Sequence, residues 1–87
     1  MADAYEIVVA ASAAREVRRL PVALQRSIFA ALDSLAAEPR TGKPLTGALS
    51  GLRSLRRGDY RVIYRIDDPA RKVEVARIGH RRDVYRR

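Results

Sequence analysis

The sequence predicts an α+β fold in which an antiparallel four-stranded sheet is covered on one face by an N-terminal helical hairpin. Two observations predict it. Apolar residues recur at helical spacing up to residue 38, and after residue 51 they alternate with charged residues at the spacing of a strand. The resulting order is strand, helix, helix and three strands. Because 87 residues provide only one small core, we expect residues 1–87 to form a single domain.

The first strand and both helices are predicted from the N-terminal half. Residues 5–10, YEIVVA, form a short β-branched run. Ser12 is a suitable N-cap for the first helix, and Pro21 suits the start of a second helix better than the interior of the first. Pro39 should then end the second helix near Glu38. The apolar stripes are Ala13, Val17 and Leu20 in the first helix, and Leu24, Ile28, Ala31, Leu32 and Leu35 in the second.

A segment rich in proline and glycine, residues 39–51, separates the second helix from the remaining strands. It is long for a connection in a compact domain, and only Leu45 and Leu49 could anchor it. We therefore expect this segment either to wrap the core or to serve the function.

Three strands are predicted after this segment. Residues 52–58 form the first, with a bulge or a late start, because Leu52 and Leu55 cannot share a face of a regular strand. Residues 59–67 and 72–79 form the second and third. In the second, Tyr60, Val62, Tyr64 and Ile66 face the core, opposite Arg61, Ile63 and Arg65. In the third, one face carries Val73, Val75 and Arg77, and the other carries Glu74, Ala76 and Ile78. If the strand runs on, Arg81 lies on the same face as Arg77.

The second face of the predicted sheet should carry a cluster of arginines. A helical hairpin covers only one face, so the other face is expected to be open to solvent. A guanidinium group binds phosphate through a planar fork of donors and also stacks on bases. The arginines expected on this face are Arg61, Arg65, Arg77 and Arg81.

The charge of the chain indicates an acidic partner. The formal net charge is +8, of which residues 1–50 contribute +1 and residues 51–87 contribute +7. Sixteen of the 18 cationic side chains are arginine, which favours nucleic acid over an anionic membrane or an acidic protein. A solvated basic surface without a partner is the alternative interpretation.

Composition also limits the function classes. No apolar run approaches the roughly 20 residues of a membrane span, and residues 1–15 lack the pattern of a secretory signal. We therefore expect a soluble cytoplasmic protein that does not bind membranes. With no cysteine and a single histidine, the chain lacks the usual ligands of a transition-metal site, so we expect no metal and no cofactor.

Proton transfer requires side chains other than arginine, whose pKa above about 12 makes it a poor base. Scission of RNA by attack of a 2′-hydroxyl on the adjacent phosphate needs a base, an acid and stabilisation of the phosphorane. His80 either transfers protons near neutral pH or is an exposed polar residue at a strand end. Tyr85 either stacks on a base, transfers a proton or pins the C-terminal segment to the sheet. The other candidates are Asp59 and Asp83, whereas Glu74 is predicted to lie on the face of the sheet away from the arginines.

Two long stretches resemble the RelE branch of the RelE/ParE toxin superfamily: GKPLTGALSGLRSLRRGDYRVIYRID, residues 42–67, and VEVARIGHRRDVYRR, residues 73–87. Their most specific parts are RRGDYRVIY and GHRRDVYR, while AAREVRRLP and ALDSLAAEPR fit the family's helical hairpin. The resemblance covers nearly the whole chain. It implies the toxin of a type II toxin–antitoxin system, a metal-independent endoribonuclease that cleaves mRNA on the ribosome. It also implies a cognate antitoxin that neutralises the toxin in a hetero-oligomer.

The resemblance also assigns roles to individual residues. Arg61 matches the strand arginine that stabilises the scissile phosphate, Arg81 matches an arginine of similar role, and Tyr85 matches the tyrosine that stacks on the base or assists proton transfer. Relatives often have lysine where this chain has His80, and some carry a lysine pair near the position of Ser54. Under this reading His80 takes over part of the proton transfer, or this member is slow or inactive. The other arginines expected to contact RNA are Arg53, Arg56, Arg57, Arg65, Arg77 and Arg82.

Two alternatives to the endoribonuclease remain open at this point. The first is a ParE-like toxin that inhibits DNA gyrase by binding, without catalytic residues of its own. The second is a non-catalytic module that binds RNA or an acidic protein through charge alone. Either toxin reading implies an antitoxin, and the net charge of +8 predicts that the antitoxin is acidic where it crosses the basic face.

Overall fold

A computed structural model of the chain describes residues 4–84, which contain two α-helices and five strands. Two single-turn 3₁₀ helices, Pro39–Thr41 and Gly47–Leu49, flank the second strand. No helix within residues 4–84 is both long enough and apolar enough to cross a lipid bilayer. The elements in chain order are β1 (Glu6–Val9), α1 (Ala11–Arg18), α2 (Val22–Ala37), β2 (Lys43–Pro44), β3 (Arg53–Arg57), β4 (Tyr60–Asp67) and β5 (Lys72–His80).

The five strands form one mixed sheet in the order β1-β5-β4-β3-β2. β1 runs parallel to β5, and the other neighbours are antiparallel. The prediction of a four-stranded antiparallel sheet was therefore wrong in two respects. The fifth strand, β2, pairs only Lys43 with Ser54 and Pro44 with Arg53, which is too short to give a visible alternation. The parallel pairing escaped detection because a β-branched run indicates a strand without indicating its neighbour.

The two helices do not form the predicted hairpin. α1 packs against β5, whereas α2 packs against β1, β3 and the Pro39–Thr41 turn, and the helices share few contacts. Each helix buries its own stripe on the sheet, α1 through Ala13 and Val17 and α2 through Ile28, Ala31, Leu32 and Leu35. The reason is that five strands offer a surface wide enough for two helices to lie on it separately.

The helix boundaries confirm one predicted cap and correct another. Pro21 is the N-cap of α2, and Glu38 is its C-cap, as the proline positions predict. The N-cap of α1 is Ala10, which makes no side-chain hydrogen bond, and Ser12 lies inside the helix. The predicted Ser12 cap was wrong because packing on β5 fixes the start of α1 without a side-chain cap.

Tyr64 anchors residues 39–42 to the core. This side chain is fully buried, and its hydroxyl donates to the carbonyl of Pro39 at 2.6 Å and accepts from the N–H of Gly42 at 2.9 Å. Burial raises the pKa of the Tyr64 hydroxyl. A Cβ at residue 42 would collide with that hydroxyl and lie 3.0 Å from the carbonyl oxygen of Ser54, so glycine is required there. This part of residues 39–51 wraps the core, which is one of the two predicted alternatives.

A β-bulge interrupts the pairing of β4 with β5. Ile63 pairs with Arg77, but the next residue, Tyr64, pairs with Val75, so Ala76 has no partner in β4. An extra residue of this kind moves every later side chain of its strand to the opposite face.

The bulge corrects the predicted faces of β5. Ile78 joins Val73 and Val75 in the core beneath the helices, and Arg77 lies on the face of Glu74. The predicted grouping of Arg77 with the two valines was wrong, because regular alternation was assumed across Ala76. Glu74 was consequently assigned to the wrong face.

A polar cluster joins the start of β1 to two turns at the far end of the sheet. The Tyr5 hydroxyl donates to Asp68 at 2.6 Å, and Arg40 forms an ion pair with the same carboxylate at 2.6 Å. The guanidinium of Arg71 stacks 4.5 Å from the centre of the Tyr5 ring. The hydrogen bonds from Arg40 and Tyr5 lower the pKa of the Asp68 carboxyl, and the same carboxylate raises the pKa of Arg40.

Candidate functional site

The face of the sheet that the helices leave uncovered, here called the open face, carries four arginines that oppose or neighbour one another. The strand pairings define the face, because residues paired across neighbouring strands share a side of the sheet. Its residues are Arg56 on β3, Arg61, Ile63 and Arg65 on β4, and Glu74 and Arg77 on β5. Three of the four predicted arginines, Arg61, Arg65 and Arg77, are among them.

The open face is not wholly exposed, which corrects the prediction of a bare second face. Ile63 is only 2% exposed and Val84 only 3% exposed, although neither belongs to the core cluster beneath the helices. The turn after β5 brings Val84 back over the sheet, close to where a side chain at Gly79 would lie. Ile63 and Val84 line an apolar cavity of about 420 Å³. The other residues that line it are Ala48, Leu49, Leu52, Ala76 and Arg77. Arginines therefore border an apolar patch on this face.

Arg56 and Arg61 lie directly opposite each other on β3 and β4. Like charges in this position destabilise a sheet. Arg61 is half-buried, and its Nη1 atom is buried without a hydrogen-bond partner within residues 4–84. An unsatisfied buried donor costs about 1–3 kcal/mol. Nε of Arg56 donates to the carbonyl of Gly58 at 3.3 Å. An anion bound beside the two side chains would relieve their like-charge repulsion.

Arg81 lies one step further along the same edge. Its N–H donates to the carbonyl of Asp59 at 2.7 Å, so the antiparallel pairing extends one residue beyond β5. Arg61 pairs with Gly79, which makes Arg81 its diagonal neighbour with the parity of the open face. Diagonal neighbours lie about 7–8 Å apart, within reach of two long side chains. Arg81 is exposed and can reach an anion held near Arg61.

Arg65 and Arg77 lie further from this pair along the open face. Arg65 forms an ion pair with Glu74, its cross-strand partner; the Arg65 side chain is exposed and the Glu74 side chain is half-buried. Arg77 lies at the rim of the apolar cavity. Glu74 thus neutralises one end of the open face and leaves the positive charge concentrated around Arg56, Arg61 and Arg81.

Arg53 and Arg57 point to the other side of the sheet. They pair with Tyr64 and Tyr60, whose rings pack with the core beneath the helices. Nη1 of Arg53 donates to the carbonyl of Gly42 at 2.6 Å, so this guanidinium holds the residues around β2. Arg56 is therefore the arginine of β3 that lies on the open face.

His80 lies on the helix-covered side, at the end of β5. It pairs with Tyr60, and the two rings meet edge to face with their centres 5.6 Å apart. The backbone N–H of Arg82 donates to Nδ1 of His80 at 3.1 Å, which leaves the proton of a neutral ring on Nε2. His80 also lines a groove of about 530 Å³ between α1 and the end of β5, together with Glu16, Arg19 and Asp83.

The remaining predicted site residues lie near the C-terminus. Arg82 is exposed in the turn after β5. Tyr85 lies outside the described residues. Within residues 4–84 there is no cluster of three or more histidine, aspartate or glutamate side chains that could hold a metal ion.

Two features of this surface were missed in the sequence. The opposition of Arg56 and Arg61 could have been found by counting from Leu55, since a buried Leu55 places Arg56 on the other face. The cover formed by Val84 gives no comparable signal, because a single valine in a charged segment does not indicate a turn back onto the sheet.

Comparison with known proteins identifies the family. A model of the family described as the ParE toxin of the type II toxin–antitoxin system parDE matches residues 7–85. The chain belongs to the RelE/ParE family of toxins. This RelE-type toxin is 44% identical over 86 residues to Toxin RelE of Mycobacterium tuberculosis, covering 94% of this chain and 87% of the relative. It is 41% identical to Toxin RelG of the same organism, covering 95% and 98% of the two chains.

The fold of this RelE-type toxin also matches a solved structure. The crystal structure of the toxin–antitoxin complex RelBE2 of Mycobacterium tuberculosis contains a chain that superposes with a TM-score of 0.84. The two chains are 36% identical, and the match covers 95% of this chain and 98% of the other. The fold is thus shared with a chain of a solved toxin–antitoxin complex.

Proposed function

We propose that this RelE-type toxin is an endoribonuclease that cleaves mRNA on the ribosome and that a cognate antitoxin neutralises it. The observation that carries the proposal is the opposition of Arg56 and Arg61, together with an Nη1 atom on Arg61 that is buried and has no hydrogen-bond partner among residues 4–84. The opposed like charges are costly in the free protein, and a phosphate bound beside them offsets that cost.

The proposed chemistry is attack of a ribose 2′-hydroxyl on the adjacent phosphate. Arg61, with Arg56 and Arg81 beside it, stabilises the negative charge that develops on the phosphorane oxygens. This role needs no change in protonation, which suits a side chain that stays charged at neutral pH. The three arginines therefore bind the transition state more tightly than the ground state.

His80 is the proposed proton-transfer residue, and Tyr85 is the proposed base-stacking residue. Nε2–H of a neutral His80 ring can hydrogen-bond the leaving 5′-oxygen, whereas transfer of a proton to that oxygen requires the charged ring and loss of the hydrogen bond from the Arg82 N–H to Nδ1. Its position at the end of β5 requires the RNA to pass over the end of that strand. Tyr85 stacks on a neighbouring base in this proposal, as the family resemblance implies.

The proposed antitoxin is acidic. Its chemistry follows from the charge of the toxin, since the +7 of residues 51–87 attracts negative side chains and fixes their register. The RelBE2 structure contains a toxin together with its antitoxin, which supports a partner of the same kind here. An antitoxin lying across Arg61 and Arg81 would exclude RNA from the open face.

The test is induced expression of the toxin with growth and transcript ends as readouts. Arg61→Ala and Arg81→Ala should each lower cleavage of ribosome-bound mRNA by about a hundredfold or more. Arg61→Lys keeps the charge but loses the planar fork, and cleavage should fall by about tenfold while RNA binding is retained. Arg18→Ala, on the exposed side of α1, is the matched control and should be as toxic as the wild type.

The family description favours one second candidate, inhibition of DNA gyrase without catalysis, because the matching family is named for ParE. A supercoiling assay with purified gyrase separates the two functions. Inhibition of supercoiling with no new transcript ends would reject the endoribonuclease. Equal behaviour of Arg61→Lys and the wild type in cleavage would also contradict it, since a surface acting through charge alone does not need the guanidinium fork.

A further inference from the structure

The outer side of α2 carries apolar side chains that no other element covers. Phe29 is 52% exposed and Val22 is 62% exposed, and they are the most exposed large hydrophobic residues within residues 4–84. They lie seven residues apart, on the same side of the helix. Isolated exposed apolar residues are common in soluble proteins, so their exposure is only the starting point. What singles out this helix is the arrangement of its other exposed residues.

Six of the seven exposed residues of α2 are arranged symmetrically about the middle of the helix; the seventh, Ala23, has the half-buried Ala36 at its mirror position. The midpoint of Val22–Ala37 falls between Phe29 and Ala30. Arg26 lies as far before this point as Asp33 lies after it, and Val22 and Ala37 are likewise equidistant. The stripe consists of Val22, Arg26, Phe29, Ala30, Asp33 and Ala37, all of them exposed.

This symmetry makes the stripe complementary to itself. When two copies of α2 lie antiparallel across a two-fold axis, each residue faces the position equally far from the midpoint on the other copy. Phe29 then packs against Ala30 of the second copy, and Val22 against Ala37. Each Arg26 faces an Asp33, so the two-fold axis generates two identical ion pairs at the sides of an apolar centre.

The distribution of charge favours self-association through this stripe over self-association through any basic surface of the molecule. α2 contains one arginine and one aspartate and no other charged side chain, so it is neutral on a molecule of net charge +8. Neither Arg26 nor Asp33 has a hydrogen-bond or ion-pair partner within residues 4–84. Two copies meeting through any part of residues 51–87 would instead bring their +7 segments together.

We propose that the toxin self-associates through α2, as a two-fold symmetric dimer centred on Phe29. The dimer leaves the open face free, because α2 lies on the opposite side of the sheet. A single pair of 16-residue helices buries less area than a standard interface. The association is therefore weak and reversible, with a dissociation constant on the order of 10 µM.

Charge reversal tests the two-fold arrangement directly. Sedimentation velocity of the full chain over a range of concentrations should show a reversible monomer–dimer equilibrium. Arg26→Asp and Asp33→Arg should each weaken association by about tenfold or more, because the symmetry creates two like-charged contacts at once. The double variant R26D/D33R exchanges the charges and should restore dimerisation to within a fewfold of the wild type.

Controls separate loss of the dimer from loss of the fold and from the proposed function. All variants are made in an Arg81→Ala background, so that toxicity does not limit production, and circular dichroism checks folding at concentrations where the chain is monomeric. Arg18→Asp on α1 is the matched charge reversal outside the stripe and should leave the equilibrium unchanged. Because no step uses RNA, the result is independent of whether the toxin cleaves RNA.

Two results would overturn the proposal. The first is a wild-type chain that stays monomeric at every concentration; loss of antitoxin binding by Phe29→Ser would then assign this surface to the antitoxin. The second is a double variant that dimerises no better than the single variants, which would remove the two-fold pairing.

Discussion

At the scale of single residues, the contacts of each guanidinium group indicate whether an arginine holds the fold together or is available to bind a phosphate. Arg53 donates to the carbonyl of Gly42, and Arg40 and Arg65 form ion pairs with Asp68 and Glu74. The Arg61 side chain is half-buried, and one of its nitrogens has no hydrogen-bond partner in the part of the chain that the structure describes. The proposed function depends on this difference, because a guanidinium already bound to a protein acceptor contributes less to holding a phosphate.

Tyr64→Phe should lower the free energy of unfolding by about 1–3 kcal/mol. The substitution removes the hydroxyl that bridges the Pro39 carbonyl and the Gly42 N–H, and both groups then lack their partner in a buried place. Urea denaturation measures the change. Tyr5→Phe removes an exposed hydroxyl instead and should have a much smaller effect. Equal effects of the two substitutions would show that burial of the Tyr64 hydroxyl does not decide the cost.

Asp68 should make stability fall in acid. Hydrogen bonds from Arg40 and Tyr5 lower the pKa of its carboxyl in the folded state. Its contribution is therefore fully present above the unfolded-state pKa of about 3.9 and is lost as the pH falls through the lower, folded-state pKa. Thermal unfolding of Asp68→Asn and the wild type, measured from neutral pH downwards, should differ by a constant amount above pH 5 or so and converge in acid. Curves that stay parallel down to the lowest pH would contradict this linkage.

At the scale of elements, the strand pattern predicts β4 fully and β5 only up to its bulge. In β4 the alternation of tyrosine and valine with arginine has no interruption, and the predicted faces are confirmed. In β5 a single unpaired residue, Ala76, reverses the faces that follow it. No turn residue or glycine marks this bulge, and an alanine is compatible with either face. Helix positions were predictable from proline and apolar spacing, but their separate packing on the sheet depends on its width.

Deleting Ala76 should preserve the fold. The deletion leaves Val75, Arg77 and Ile78 in consecutive positions, so regular alternation gives the faces that the bulge now produces. Cooperative unfolding should therefore remain, with a change in stability of about 1 kcal/mol. Deleting Glu74 is the matched control. It keeps the bulge and moves buried Val73 to the open face, so this variant should lose far more stability or not fold.

At the scale of the whole molecule, the charge asymmetry read from the sequence corresponds to a division of the fold. Residues 1–50 contribute +1 and contain both helices, whereas residues 51–87 contribute +7 and contain the strands of the open face. The basic surface could therefore be predicted before the fold was known. Which arginines meet on it could not, because Arg56 and Arg61 become neighbours only through the register of β3 with β4.

The salt dependence of RNA binding should report how many phosphates the open face contacts. For a single strand, the logarithm of the binding constant falls with the logarithm of salt concentration with a slope of about −0.7 per neutralised phosphate. Arg61→Ala should make this slope less negative by about 0.7, and Arg18→Ala should leave the slope unchanged. Fluorescence anisotropy with a short RNA, at several salt concentrations, gives the slope. An unchanged slope for Arg61→Ala would remove this residue from the phosphate contacts.

The parallel pairing of β1 with β5 orders the events of biosynthesis. Among the strands, β1 pairs only with β5, in the register from Glu6–Lys72 to Val9–Val75, and the N–H of Glu6 also donates to the carbonyl of Arg71 just before β5. β1 therefore has no strand partner until residue 75 has been translated and has left the exit tunnel. The central strands also wait, because β4 lies between β3 and β5. The sheet is therefore completed only after β5 has left the tunnel, and until then the nascent chain lacks its open face.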